Sequence, residues 1–151
     1  MQAALNALAE RMSGCSDVAT VHKGGFGELA GQIAAEIGDA PALILLDPIG
    51  LKAIGASACK TLLHRAGKTD VFVIVDFTIA YRAAGQLFDD GEPDPKDAGA
   101  AALAANVDDF FGGSREWLPI IRSRRSERVE RGLIDLYFEK VLGGRFKYKA
   151  S

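Results

Sequence analysis

The feature that most constrains the fold is a run of five apolar residues, Ala42 to Leu46, which is followed by Asp47, Pro48 and, two residues later, Gly50. An unbroken apolar run of this length is typical of a parallel strand that is buried on both faces. Asp47 is then expected at the carboxyl end of the strand, where open α/β sheets bind ligands. Pro48 turns the chain out of the sheet because it fixes φ and lacks an N–H. Two interpretations of Asp47 stay open, a ligand-facing acid or the acid of a turn that caps a helix.

A second apolar run, Val71 to Phe77, predicts another buried strand, and Asp76 lies at its end. Residues 51–65 between the two runs have a mainly helical pattern, which Gly55 weakens. A strand, a helix and a strand at this spacing form a βαβ unit, so the two strands are predicted to be parallel. Asp47 and Asp76 are therefore expected at the same edge of the sheet, which is the strongest indication of a site that the residues provide.

The rest of the chain is predicted to be mainly helical. Apolar residues recur at helical spacing in three segments, and a fourth segment is rich in alanine, which has the highest helix propensity. The four predicted helices are Ala4 to Met12, Phe26 to Ile37, about residue 98 to Phe111, and Val129 to Val141. Val18 to His22 is a short β-prone segment, and Arg145 to Lys149 alternates as an edge strand does.

Composition limits the class of protein. The 151 residues are enough for one domain with a hydrophobic core, and the net charge of −2 gives no general attraction for nucleic acid. Cys15 and Cys59 have neither a metal-ligand spacing nor a disulfide framework, so we expect no metal site and a reduced, cytoplasmic compartment. Since no apolar run approaches the roughly 20 residues that span a bilayer, no membrane partner is predicted.

Two clusters have both a structural and a functional interpretation. The glycines around Gly24, Gly25 and Phe26 lack the dinucleotide-binding spacing, which favours a turn into a helix over a nucleotide site. The arginines of residues 122–131 alternate with Glu127 and Glu130, which favours a solvated helix face over phosphate or nucleic-acid binding.

Three motifs together carry a resemblance to a known family. They are Leu45-Leu46-Asp47-Pro48-Ile49-Gly50-Leu51, then Asp76-Phe77 with Arg82, then Phe110-Phe111-Gly112 with Trp117. In this order they resemble the three-Cys-motif partner proteins, which are named for their association with a protein that bears a three-cysteine motif. The resemblance covers roughly residues 5–149. It implies a three-layer α/β fold with a mostly parallel, Rossmann-like sheet, similar to the S-adenosylmethionine-dependent methyltransferases.

The resemblance also implies roles for individual residues. In amino-methyltransferases the equivalent acid–proline turn lies beside the target base or amine, and S-adenosylmethionine is the cofactor. The residues assigned on this basis are Asp47, Pro48 and Gly50 for catalysis, Asp76, Tyr81 and Arg82 for substrate binding, and Gly24, Gly25 and Phe26 for the cofactor. Arg82 has a second interpretation, a structural ion pair with Asp76.

The sequence departs from the family pattern in two places. The strand and glycine-rich turn that hold the methionine end of the cofactor would have to precede residue 1, and Gly24-Gly25 stands where an acid faces the adenine. We therefore expect residues 1–151 to be a single α/β domain that is incomplete at its N-terminus, the C-terminal part of a larger methyltransferase-like domain, or else a degenerate homologue. The strand of Val18 to His22 is then expected to pair directly with Leu43 to Leu46, unless another chain closes this edge.

Three functions follow from these expectations. The first is a methyltransferase for an amine or nucleobase, in which Asp47 and nearby carbonyls accept hydrogen bonds from the target N–H and orient it for in-line transfer. The second is a non-catalytic subunit that uses the same scaffold to dock a cysteine-rich, three-Cys-motif protein. The third, a phospho-receiver domain, ranks last because residues 22–25 supply no acidic pair.

Overall fold

The structure is a computed structural model, and it describes residues 6–7, 10–11, 19–47, 54–113, 115–123 and 126–143. Within these ranges the chain forms six helices and two strands, so the mixed α/β class that we predicted is confirmed. In chain order the elements are α1 (Phe26–Ile37), β1 (Ala42–Leu46), α2 (Ala56–Leu63), β2 (Thr69–Val73), α3 (Thr78–Gly85), α4 (Ala98–Phe110), α5 (Trp117–Arg122) and α6 (Ser126–Lys140).

The two strands form the predicted parallel βαβ unit. β1 and β2 pair in parallel from Ala42 opposite Thr69 to Leu46 opposite Val73, and α2 connects them. The bounds of β1 are as predicted, but those of β2 are wrong, because the strand begins and ends before the apolar run does. It ends at Val73 because the following residues turn into α3, where the carboxylate of Asp76 accepts a hydrogen bond from the N–H of Thr78 at 2.9 Å.

The prediction that β1 is buried on both faces is wrong. Ile44 and Leu46 are buried, whereas Leu43 and Leu45 on the opposite face are 76% and 62% exposed. β2 repeats the pattern, with Phe72 60% exposed. An apolar run predicts the strand but not the layers that cover it, and the described segments pack against one face only.

The segment before α1 does not join the sheet. Among the described residues the sheet has two strands, and residues 19–22 belong to neither, so the predicted pairing with Leu43 to Leu46 is wrong for them. Their contacts explain why: Nε2 of His22 lies 2.9 Å from Oε2 of Glu36, which holds this segment against α1. Val18 lies outside the described residues.

The core is built mainly by the C-terminal helices. Phe110 stacks on Tyr137 with ring centroids 4.7 Å apart and meets Phe111 edge to face at 4.9 Å. Trp117 and Leu133 are fully buried beside them. α1 packs against α2, while α4 and α5 pack against α3, and α6 against α5, so the core continues from the sheet to the last helix.

Most predicted helices are confirmed. α1 has the predicted bounds and stops at Gly38, whose φ of 55° suits glycine, and α4 stops before Gly112 with φ 94°. α3 and α5 have no counterpart among the four predicted helices. In the predicted N-terminal helix, the described residues 6–7 and 10–11 are helical, and Arg145 to Lys149 lies outside the described part of the chain.

Candidate functional site

The carboxyl ends of the two strands bring two of the predicted site residues to one edge of the sheet. The carbonyl of Leu46 accepts a hydrogen bond from the N–H of Ile74 at 2.9 Å, which extends the pairing one residue beyond β2. Asp47 comes directly after Leu46, and Asp76 comes two residues after Ile74. Both acids are exposed, so the edge carries two solvent-facing carboxylates, as the βαβ unit predicts.

The carboxylate of Asp76 also has a structural role. Its Oδ1 accepts hydrogen bonds from the hydroxyl and from the N–H of Thr78, at the first turn of α3. The hydroxyl of Thr78 and, second, its N–H lower the pKa of Asp76 below its ordinary value, because both donors stabilise the charged form. Asp76 is therefore an ionised acid at neutral pH that forms a local turn just before α3, and both of these hydrogen bonds go to Oδ1.

The predicted catalytic turn is only partly described. Asp47 is exposed at the end of β1, while Pro48 and Gly50 lie outside the described residues. The acid thus stands where the sequence places it, and the catalytic role of all three residues stays a prediction.

Tyr81 and Arg82 lie on α3, the helix that begins two residues after Asp76. Tyr81 is 40% exposed and Arg82 is exposed, so both side chains are accessible next to the edge. The alternative structural role of Arg82 does not apply within the described part of the chain, because the carboxylate of Asp76 bonds to Thr78 and no ion pair joins it to Arg82.

The predicted cofactor residues Gly24, Gly25 and Phe26 form the start of α1. The other end of α1 lies at the amino edge of the sheet, where Arg65 donates to the carbonyls of both Gly38 and Lys68, at 2.7 and 2.8 Å. Because 12 helical residues extend about 18 Å, the turn at Gly24 lies away from the amino edge.

The local contacts of this turn are those of a helix start. The N–H of Gly25 donates to the carboxylate of Glu28 at 3.4 Å, and the carbonyl of Gly25 accepts from Glu28 and Leu29 at 3.0 and 3.1 Å. A Cβ at Gly24 would lie 3.2 Å from the side chain of Leu29, so the space beside this glycine is already filled. The carboxylate of Glu28 thus bonds to the backbone at the start of its own helix, and the cofactor role of Gly24, Gly25 and Phe26 stays a prediction.

Two open clefts are lined by other described residues. The larger, about 630 Å³, lies between the loop of residues 89–92 and α5, and Arg115 and Arg122 line it. Arg122 donates to the carbonyls of residues 87, 88 and 89, so this arginine holds the loop rather than standing free for a phosphate. Sequence patterns could not show this role, because the partners are backbone atoms 33 to 35 residues away. Arg128 and Arg131 are exposed on α6, as a solvated face predicts, and Arg124 and Arg125 are outside the described residues.

The second cleft, about 400 Å³, lies between the N-terminal turns of α2 and the Gly112-Gly113 turn, with Ser57, Lys60 and Asp109 among its lining residues. A Cβ at Gly55 would collide with the carboxylate of Asp109, so this acid already occupies the start of α2. The favourable place for an anion at this helix end is thus taken by the chain itself.

The described residues contain no group of three or more His, Cys, Asp or Glu side chains that could hold a metal ion. Across the same ranges, every helix is too short or too polar to cross a membrane. Cys59 is a free, buried cysteine.

Comparisons with known proteins add nothing to this site, since no family model, no curated protein and no solved structure matches the chain.

Proposed function

We propose that the chain is a three-Cys-motif partner protein with a three-layer, Rossmann-like methyltransferase fold, and that the edge with Asp47 and Asp76 binds an amine or nucleobase. The observation that supports this proposal is the parallel pairing of β1 and β2, with one exposed acid after each strand. Ligands of open α/β sheets bind at this edge.

The chemistry of the edge is that of a hydrogen-bond acceptor. Ionised carboxylates accept only, and charge-assisted hydrogen bonds to an amino group are about twice as strong as neutral ones. Asp47 is the acid placed to orient a target N–H, while Asp76 adds negative charge and fixes the start of α3. Tyr81 and Arg82 stand on α3 beside the bound group.

S-adenosylmethionine is the methyl donor that the family resemblance implies. The turn at Gly24 and Gly25, which the same resemblance assigns to the donor, closes on Glu28 and Leu29. The proposed function of this edge is thus target binding, and donor binding is tested separately.

Calorimetry separates the two parts of the proposal. Titration of the whole chain with S-adenosylhomocysteine tests donor binding, and no heat at high micromolar concentration would contradict the proposed methyltransferase activity.

Target binding is tested with adenine and n-butylamine by following amide NMR shifts. We expect shifts at Asp47 and Asp76 that Asp47→Asn weakens. Asp70→Asn is the matched control, because Asp70 is exposed on the same sheet but away from this edge, opposite Leu43. Equal effects of the two variants would contradict a site at the edge.

The second candidate is a non-catalytic subunit that docks a cysteine-rich, three-Cys-motif protein. One observation favours it: an exposed apolar surface, formed by Leu43, Leu45 and Phe72, is typical of an interaction site between proteins. Co-purification with a co-expressed three-Cys-motif protein, combined with no calorimetric signal for the cofactor, would favour docking over catalysis. Cofactor binding without co-purification would favour the reverse.

A further inference from the structure

The exposed face of the β1–β2 ladder carries four of the six exposed large apolar side chains among the described residues. It consists of Leu43, Leu45, Phe72 and Ile74, which are 76%, 62%, 60% and 45% exposed, and we call these four residues the bare sheet face. They alternate with buried residues of β1 and half-buried residues of β2, with Ile74 directly after β2, so they stand together on one side. Parallel sheets are normally covered on both faces, so the bare sheet face is a surface that a further layer would cover.

The charges around the bare sheet face are mostly negative. Asp70 lies on this face opposite Leu43, and Asp47 and Asp76 lie beyond its carboxyl end, all three exposed. Lys68, at the amino end, is the single exposed basic residue from 68 to 76. An acidic border disfavours nucleic acid and anionic lipid, both of which select basic surfaces. It favours an apolar partner with Lys or Arg at its margins.

The size of the bare sheet face indicates what can cover it. Five residues of strand extend about 16 Å. Two strands at a spacing of about 4.8 Å give a face about 10 Å wide. A stable dimer buries about 800 Å² on each partner, which needs many more residues than four apolar side chains. A single helix is about 10 Å wide with its side chains, and three turns extend about 16 Å, so one helix matches the face in both dimensions.

We propose that the bare sheet face docks one amphipathic helix of a partner protein, about three turns long, with an apolar stripe bordered by Lys or Arg. The apolar stripe covers Leu43, Leu45, Phe72 and Ile74, and the basic residues of the helix pair with Asp70 and with the acids at the carboxyl edge. This inference rests on the second of the two proposed functions, docking, and specifies the part of the partner that binds. It does not depend on cofactor or target binding.

The test uses two labelled synthetic 16-residue helical peptides with the same leucine stripe, one with lysine and the other with glutamate at its margins. Fluorescence anisotropy with the whole chain is expected to show binding of the lysine peptide and little binding of the glutamate peptide. Leu45→Thr with Phe72→Thr is expected to weaken the lysine peptide by roughly tenfold or more, since threonine suits a strand but removes apolar contact. Phe88→Thr is the matched control, because Phe88 is 54% exposed but lies outside the sheet, and it should change nothing.

Charge reversal tests the acidic border separately. Asp70→Lys should weaken the lysine peptide and strengthen the glutamate peptide, whereas a purely apolar contact would leave both unchanged. Binding of neither peptide at about 1 mM, or an equal loss with Phe88→Thr, would overturn the proposal. So would dimerisation in sedimentation that Leu45→Thr with Phe72→Thr abolishes, because the occupant would then be a second copy. Peptide binding without co-purification of a three-Cys-motif protein would support the helix-binding site and exclude that protein as the partner.

Discussion

The carbonyl oxygen of Leu46 accepts a hydrogen bond from the N–H of Ile74 at 2.9 Å, one residue beyond the last strand pair. This bond keeps the two chains side by side until Asp47 follows on one and Asp76 on the other. The position of both acids at one edge is thus a property of the backbone pairing. Their side chains then differ in their contacts, since Asp76 accepts hydrogen bonds from Thr78 at the start of α3, while Asp47 is exposed at the end of β1.

Removal of the Thr78 hydroxyl should raise the pKa of Asp76. The hydroxyl is the largest cause of the lowered pKa, so Thr78→Val is expected to move it toward the ordinary value of 3.8, while Thr78→Ser should keep it low. The pKa of Asp76 is measured from its carboxyl carbon NMR shift during an acid titration. An unchanged pKa in Thr78→Val would show that the N–H alone accounts for the shift.

The same shift predicts a pH dependence of stability. Because the pKa of Asp76 is lower in the folded than in the unfolded chain, its stabilisation is fully present above the unfolded value of about 3.8. It is lost as the pH falls through the lower, folded pKa. The difference in unfolding midpoint between the natural chain and Asp76→Asn should therefore be present at pH 6 and shrink in acid, as urea titrations at several pH values would show.

Arg65 is expected to contribute strongly to stability. Its side chain is 8% exposed and donates to the carbonyls of Gly38 and Lys68, so it joins the end of α1 to the start of β2. Arg65→Ala leaves both carbonyls without this donor and should lower the free energy of unfolding by about 2–4 kcal/mol. Urea unfolding measures this, with Arg128→Ala on the exposed face of α6 as the control. Equal effects would contradict the role of Arg65.

The sequence was sufficient for the parts of the fold that local patterns determine. α1 and β1 have the predicted bounds, since Gly38 ends the helix with a positive φ and Pro41 precedes a continuous apolar run. The parallel pairing was also predictable, because a helix between two strands restricts the connection to one hand. The shared edge of Asp47 and Asp76 followed from that pairing.

The errors arose where contacts that the apolar pattern does not show determine the structure. The end of β2 depended on a hydrogen bond between Asp76 and Thr78, which begins a helix inside the predicted strand. The exposure of Leu45 depended on which face of the sheet the described segments cover, and an apolar pattern does not specify this. The role of Arg122 depended on carbonyls more than 30 residues earlier.

Gly67 and Gly85 form a matched pair for glycine replacement. A Cβ at Gly67 would lie 2.5 Å from both Nη1 of Arg65 and the carbonyl oxygen of Asp39, whereas a Cβ at Gly85 would meet nothing within 4 Å. Gly67→Ala should lower the free energy of unfolding by about 1–3 kcal/mol, because the Arg65 contacts must shift. Gly85→Ala, at the end of α3, should leave it unchanged or raise it by up to about 1 kcal/mol. Thermal unfolding of both variants measures this difference. A greater loss of stability in Gly85→Ala than in Gly67→Ala would contradict the packing at Gly67.

Asp108 is expected to hold the α4–α5 corner together. It accepts a hydrogen bond from Nε1 of the buried Trp117 at 2.7 Å and pairs with Arg115 at 3.1 Å. Asp108→Ala leaves the indole N–H unpaired and should cost about 2–4 kcal/mol, while Asp108→Asn keeps an acceptor and should cost less. Trp117 is the chain's single tryptophan, so its fluorescence reports unfolding directly. Glu139→Ala, an exposed acid on α6, is the control, and a loss as large as that of Asp108→Ala would contradict the prediction.

The last prediction concerns the thiol of Cys59, which is fully buried on α2. Burial raises its pKa, and the thiol contacts the carbonyl of Ile54 at 3.5 Å and the hydroxyl of Tyr137 at 3.6 Å. Because the thiolate is the reactive form and the sulfur is shielded, reaction with a disulfide reagent at pH 8 should require opening of the structure. In a Cys15→Ser background, we expect Cys59 to react at least about a hundredfold more slowly than an exposed thiol and to become fully reactive in urea. Thr61→Cys with Cys59→Ala provides that exposed thiol on the same helix. Equal rates for the two thiols in the folded protein would show that the core around Tyr137 opens readily, contrary to its packing.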